Sequence, residues 1–259
     1  MKNFINEVVD GRYLVQELIG RGGFSAVYRV RDIKTGNCYA MKKYITSNPG
    51  DSQKMLEGLE REMNVLKNTS HPNLPKFLNL IKADNSFYLI MELVKGQNLK
   101  TYVDDNGPLA KNNMKKIMRQ VLSGLYYLHS LDPPIVYRDL KPENIIIDSE
   151  FNVKLIDFGI AKRYSKEIDI EEKCFGSKGF AAPEQYGDLQ GRPIYNTDIR
   201  TDIYTVGTTL YYLATGQKHT NGHTSIRWGR KMARAILKCT QINPEDRYQS
   251  VLELLVLMI

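Results

Sequence analysis

The 259-residue sequence predicts an α+β protein of two unequal parts, a small strand-rich one with one main helix and a larger, mostly helical one. Three observations carry that prediction. Period-two alternation of apolar and polar residues, rich in Val, Tyr and Ile, marks most of the first ninety positions. Helical periodicity dominates after KGQNL, residues 95–99, so the boundary falls near that turn. Strands first and helices afterwards is the order of an α+β arrangement rather than an alternating one. No internal repeat or low-complexity segment interrupts it.

Taken in order, YLVQELIG (13–20), AVYRVRD (26–32) and YAMKKY (39–44) read as half-buried strands, with KTGN (34–37) as the turn between the last two. MLEGLEREMNVLK (55–67) has helical spacing. Met55, Leu59, Met63 and Leu66 share a face, Glu62 falls on its margin, and Glu57, Glu60 and Arg61 point away. FYLIMELV (87–94) is a continuous apolar run, a buried strand. KNNMKKIMRQVLSGLYYLHS (111–130) is an amphipathic helix with Ile117, Val121, Leu125 and Leu128 on one side. NIIID and NVKLID flank DSEF as a β-hairpin. TDIYTVGTTLYYLATG (201–216) is apolar around most of its circumference, hence a buried helix. IRWGRKMARAILKC (226–239) reads as a helix. The closing VLELLVLMI fits a last core helix, a homodimer contact or the edge of a longer parent protein.

Composition narrows the class. Hydrophobic residues are 42% and charged residues 25%, ordinary for a globular chain. No run approaches the roughly 18 apolar residues of a membrane helix. MKNFINEVVDGRY lacks a secretory core, so a cytoplasmic protein is expected. Cys38, Cys174 and Cys239 are far apart and odd in number, which fits reduced thiols. The formal net charge of +7 is localised: from Gln217 to Pro244 there is no acid, while Lys218, Arg227, Arg230, Lys231, Arg234 and Lys238 lie there. On a helix, the last five fall in one arc and Trp228, Met232, Ala235, Ile236 and Cys239 in another. Such a face suits an acidic protein, nucleic acid or an anionic membrane surface, and equally a solvated helix side.

The residues that carry chemistry lie at strand ends and turns. IGRGGFSAVY joins the first two strands, and its glycines let backbone N–H groups approach a phosphate. No GxxxxGK[ST] occurs, which argues against the P-loop class. Lys42 sits on a strand that otherwise faces a core, and it is the nearest candidate on the preceding strand for the cation that Glu62 at the helix margin needs. Asp139 and Asp157 each end an apolar run, with Asn144 between them. Asp and Asn oxygens are hard ligands suited to Mg²⁺. A carboxylate not on the metal can accept a hydroxyl proton, and Lys141 can neutralise a phosphoryl group in flight.

Together these residues resemble the known signature set of the eukaryotic-like (Hanks-type) serine/threonine protein kinases. GRGGFSAV resembles the Gly-rich loop, YAMK the strand-3 lysine motif, YRDLKPEN the catalytic loop, DFG the metal-binding motif and AAPE (181–184) the APE anchor. Order and spacing hold from about Tyr13 to Tyr248. KPEN resembles serine/threonine rather than tyrosine kinases, and AAPEQY and NPEDRYQS look bacterial, which implies bacterial signalling. The resemblance implies one bilobal kinase domain over residues 1–259, with an N-lobe of about 1–94 and a C-lobe of about 95–259, and ATP and Mg²⁺ between them. It implies that Ile19, Gly20, Arg21, Gly22, Gly23, Phe24, Ser25, Val27, Ala40, Met91, Glu92, Val94 and Ile146 surround the nucleotide. Lys42, paired with Glu62, would hold the α/β-phosphates; Asp139 would orient the substrate hydroxyl; Lys141 would meet the γ-phosphate; Asn144 and Asp157 would bind Mg²⁺. Asp202 resembles the acid that braces the catalytic loop, and Arg247 the partner of Glu184. The implied partners are proteins bearing Ser or Thr, and the second reading of the location is the cytoplasmic domain of a longer membrane-anchored parent.

Two rival readings use the same residues. Retention of Lys42, Asp139, Asn144 and Asp157 argues against a non-catalytic nucleotide-binding module. The APE anchor and Arg247 argue against a kinase of small molecules. Departures from the pattern are Ser25 for the third loop glycine, Tyr137 for the usual His and Phe180 for a Tyr. The segment from Asp157 to Glu184 has no Thr. Its hydroxyls are Tyr164, Ser165 and Ser177, of which Ser177 resembles the hydroxyl that contacts the catalytic Asp and Lys. Ser165 is then the phosphorylation candidate. Glu167, Asp169, Glu171 or Glu172 would alternatively fill a phosphate pocket at Arg138. His219 and His223 form HxxxH without a third ligand, and Cys174 reads as an inert loop thiol.

Overall fold

The structure is a computed structural model that describes residues 4–23, 25–44, 52–83, 86–164, 176–186, 196–219 and 228–258. Phe24, Ser165, Glu167, Asp169, Glu171, Glu172, Cys174, His223 and Arg227 lie outside the described residues. The chain divides into two compact units, Met1–Ser70 with Pro75–Val94, and His71–Leu74 with Lys95–Ile259. The short piece His71–Leu74, which the sequence assigns to the first lobe, goes with the second unit. There Asn73 Nδ2 donates to Val153 O at 2.8 Å and Leu155 N donates to Asn73 O at 2.8 Å.

Among the described residues the first unit is a six-stranded antiparallel sheet and one helix. Strands β1 (Val8–Val9), β2 (Tyr13–Arg21), β3 (Ser25–Asp32), β4 (Cys38–Tyr44), β5 (Phe77–Ala83) and β6 (Ser86–Glu92) lie in the order β1-β2-β3-β4-β6-β5. Period-two alternation splits the sheet into two faces. Val15, Tyr28, Val30, Met41, Tyr88 and Ile90 enter one apolar core. Val27, Ala40, Lys42 and Met91 alternate with them and belong to the other face, since Val27 pairs with Lys42 and Ala40 with Met91. Helix α1 (Ser52–Lys67) starts before the apolar stripe read from the sequence, and it buries Met55, Leu59, Val65 and Leu66. Glu62 is not at the margin of that stripe but within it, 1% exposed.

The second unit is built on helices. After β7 (Gln97–Asn98) come α2 (Leu99–Asn106) and α3 (Lys111–His129), whose Ile117, Val121, Leu125 and Leu128 are fully buried. The expected hairpin is β9 (Ile145–Ile147) with β10 (Val153–Leu155), and β7 adds to it as a third strand; β8 (Ile135–Val136) pairs with β11 (Lys162–Arg163). Gly96 is required beside that sheet: its φ is +125° and a Cβ there would lie 2.0 Å from Ile147 O. The four-residue α4 (Pro183–Tyr186) precedes α5 (Ile199–Thr215). Thr201 to Ala214 of α5 are all buried, as the apolar circumference predicts. A capping box on Asp198 opens α5 and Gly216, in the left-handed region, closes it.

Helix α6 (Arg230–Cys239) corrects the reading of residues 226–239 as one helix. Gly229 has φ +92°, which is not helical, so Trp228 lies outside the helix. The two arcs hold nonetheless: Met232, Ala235, Ile236 and Cys239 are buried while Arg230, Lys231, Arg234 and Lys238 are exposed. The last helix, α7 (Val251–Leu257), buries Val251 and Leu254 and leaves Leu252 and Val256 exposed. No described helix is long and apolar enough to cross a membrane.

Candidate active site

In the first unit the Gly-rich turn is a hairpin between β2 and β3. Gly20 pairs with Val27 and Gly22 N donates to Ser25 O at 2.8 Å. Ile19, Arg21, Gly22 and Gly23 are exposed, with Gly20, Ser25 and Val27 half-buried. Ala40, Lys42 and Met91 are buried on the same face of the sheet as Val27. Lys42 Nζ is 2.5 Å from Glu62 Oε2, and Tyr44 Oη donates to the same oxygen. Both ends of the Lys42–Glu62 pair are buried, at 9% and 1% side-chain exposure. A buried carboxylate needs this many donors to be tolerated. Glu92 and Val94 are half-buried at the end of this unit, where Glu92 N donates to Lys76 O at 2.9 Å.

In the second unit the loop after β8 is held from behind by Asp202 of α5. Its carboxylate accepts from Tyr137 N at 2.8 Å and Arg138 N at 2.7 Å, and is 2.8 Å from His129 Nε2. These bonds hold Arg138 at φ +66°, a conformation that costs a non-glycine residue about 1–3 kcal/mol. Gln185 Nε2 donates to Arg138 O at 2.8 Å and Arg138 Nε to Ile160 O at 2.6 Å, which buries the arginine. The strained turn aims the next residue, Asp139.

Three side chains meet on the Asp139 carboxylate. Lys141 Nζ lies 2.8 Å from Oδ2, Asn144 Nδ2 donates to Oδ2 at 2.8 Å, and Ser177 Oγ donates to Oδ1 at 2.9 Å. Lys141 also donates to Ser177 Oγ at 2.6 Å, closing a triangle of acid, cation and hydroxyl. Burial holds the Asp139 carboxyl above its ordinary range, and Lys141 and Ser177 pull it part of the way back. The result is a shielded acceptor with a cation at its side.

The hairpin ladder sets Asp157 beside this loop. Ile146 of β9, half-buried, pairs with Lys154, and Ile156 N donates to Asn144 O at 2.9 Å, one residue before Asp157. Asp157 is exposed with φ +67°, and Gly159 N approaches its Oδ1 at 3.4 Å. Phe158 is fully buried, edge-on to Tyr137 at 5.1 Å, and Tyr137 Oη donates to Ile156 O. The aromatic at position 137 thus packs where the sequence pattern has a His. With its amide nitrogen on Asp139, Asn144 keeps its side-chain oxygen as a hard donor that could hold a metal ion. No three His, Cys, Asp or Glu gather among the described residues. One carboxylate and one amide oxygen suit Mg²⁺, an ion that keeps waters and shares substrate phosphates.

A second buried pair anchors the segment that follows. Arg247 NH1 and NH2 meet Glu184 Oε1 and Oε2 at 2.7 and 2.8 Å. Thr201 Oγ1 donates to Glu184 at 2.8 Å, and Arg247 also donates to the carbonyls of Gln241, Ile242 and Arg200. Every group is satisfied, which is what makes a buried pair tenable. Sequence reasoning missed Tyr44, His129 and Gln185. Each finds its partner in another segment of the chain, and period alone gives such a residue no partner.

The protein kinase domain family model matches residues 13–255. The chain is 32% identical over 243 residues to the probable serine/threonine-protein kinase PknB of Lactococcus lactis, covering 93% of this chain and 38% of that protein. It is 31% identical over 267 residues to the serine/threonine-protein kinase PrkC of Bacillus subtilis, covering 95% and 40%. Serine/threonine-protein kinase B of Synechocystis is likewise 31% identical, at 95% and 46% coverage. The chain therefore spans less than half the length of these relatives. With its α+β architecture, the matched span shows that the chain belongs to the protein kinase domain family, a family of phosphotransferases.

Proposed function

We propose that this chain transfers the γ-phosphoryl group of ATP to Ser or Thr hydroxyls of proteins, itself included. The observation that carries the reading is the Asp139–Lys141–Ser177 triangle with Asn144 on the same carboxylate. Asp139 orients the acceptor hydroxyl and takes its proton as the phosphorus–oxygen bond forms and ADP leaves. Lys141 neutralises charge that develops on the transferred group. Lys42, held by Glu62, presents its ammonium to the nucleotide phosphates, and Gly20, Gly22, Val27, Ala40 and Met91 line the nucleotide's side of the sheet. Asn144 and Asp157 hold Mg²⁺, which when bound neutralises the phosphates. We assign the activity to the cytoplasm, where ATP is available and the described thiols Cys38 and Cys239 stay free.

The test is phosphopeptide mass spectrometry after incubating the chain with Mg-ATP and casein, beside Asp139→Asn. Phosphate on Ser or Thr only with the unaltered chain is expected. No phosphate on either protein, with nucleotide still bound, would overturn the reading in favour of a non-catalytic module.

A further inference from the structure

We propose that the outer face of α6 docks an acidic segment of a partner protein. Arg230, Lys231, Arg234 and Lys238 are all exposed on this short helix. No acid occurs from Gln217 to Pro244 to balance them. Among the described residues none of the four makes an ion pair, and Lys238 instead lies over the Tyr248 ring, 4.3 Å from its centroid. The acid at Glu245, just beyond the stretch, is engaged by Arg200 at 2.6 Å.

The charge runs against the helix's own stability. Its first turn holds Arg230 and Lys231 and no acid, and the N-cap Gly229 has no side chain to accept from the first-turn N–H groups. Cations at a helix N-terminus are unfavourable. By contrast α5 and α7 open on capping boxes at Asp198 and Ser250. Helix α6 is held by its buried face against α5, where Gly207 makes room for Cys239 and Thr240. An anion laid across its outer face would relieve the crowded cations and meet a helix start whose N-cap residue supplies no side chain.

The chemistry of the face selects the occupant. From Arg230 to Lys238 the helix rises about 12 Å, the length of about four residues of extended chain. Arginine forks match carboxylates in two-point contacts. No large apolar side chain of α6 is exposed, so nothing there would enter a bilayer. Trp228, the aromatic next to it, is only 4% exposed, and the half-buried Tyr248 ring has Lys238 over it, so neither ring lies open for base stacking. The short span, the arginine forks and the lack of an open ring or apolar side chain favour an acidic polypeptide. The proposal does not rest on the kinase reading.

The experiment is fluorescence anisotropy of a labelled oligoglutamate peptide with the whole chain at about 0.15 M salt. The chain binds it, and Arg230→Glu/Lys231→Glu/Arg234→Glu weakens binding roughly tenfold or more. The same reversal at the exposed Lys34, Lys67 and Lys116 changes it by no more than about twofold. Circular dichroism checks that both variants fold; if the α6 triple does not, the neutral pair Arg230→Gln/Arg234→Gln replaces it with the same direction expected. No binding by the unaltered chain, or equal loss in both charge reversals, would overturn the proposal. So would tighter α6-dependent binding of short duplex DNA or phosphatidylserine vesicles.

Discussion

Asp139 is placed where its charge is costly. Burial disfavours the ionised form, so folding raises its pKa above the ordinary 3.8. The stability this gives is present below 3.8 and lost as pH rises through the raised folded value, so at neutral pH the ionised carboxylate burdens the fold. Asp139→Asn should therefore keep or raise the melting temperature while cutting phosphotransfer by about 10²–10⁴-fold. Scanning fluorimetry beside steady-state kinetics checks both, and a clear drop in melting temperature would contradict the account. The rate of the unaltered chain should fall with acid at a pH above that expected for an ordinary aspartate. Asp139, Lys141 and Asn144 were legible together because they sit within six positions. Ser177, 38 residues away, was legible only through resemblance, since no local pattern brings it to Asp139.

At the scale of elements, glycines decide what packs where. Gly207 in the interior of α5 costs about 1 kcal/mol of helix propensity against Ala. A Cβ there would lie 2.5 Å from Cys239 Cβ and 2.8 Å from Thr240 Cγ2. Gly207→Ala should thus destabilise by about 1–3 kcal/mol despite its better propensity, read from the urea midpoint. No change, or a gain, would mean that α6 is not seated on that glycine. The start of α6 shows the limit of periodicity. Trp228 continues the apolar arc in sequence, yet its indole donates to Leu109 O at 3.1 Å, across 119 residues. That bond and the positive φ of Gly229 stop the helix short of the stretch its spacing suggested. The strand β5 was not legible at all: its Leu78 and other outward residues face solvent at the sheet edge, so FLNLIKA carries no clean alternation.

At the scale of the whole chain, the Glu184–Arg247 pair joins residues 63 apart. Arg247→Met would leave the Glu184 carboxylate buried without its cation, at a cost of about 3–5 kcal/mol. Adding Glu184→Gln should recover part of that loss. A double-mutant cycle by urea unfolding should give a coupling above about 1 kcal/mol, whereas simple additivity would show that the pair does not act as a unit. The sequence by itself determined the α+β class, the strand and helix order, the two faces of the first sheet and the residues that carry chemistry. Those follow from period, turn chemistry and short spacing, which are local properties. Only the tertiary structure decided that β6 lies between β4 and β5, that Tyr44 shares Glu62 with Lys42, and that His129 joins Asp202 behind the loop of Asp139, where resemblance alone had set Asp202 and Ser177. These are contacts between segments distant in sequence. What selects them is the need of each buried polar group for a partner, and that need is met only after the chain has packed.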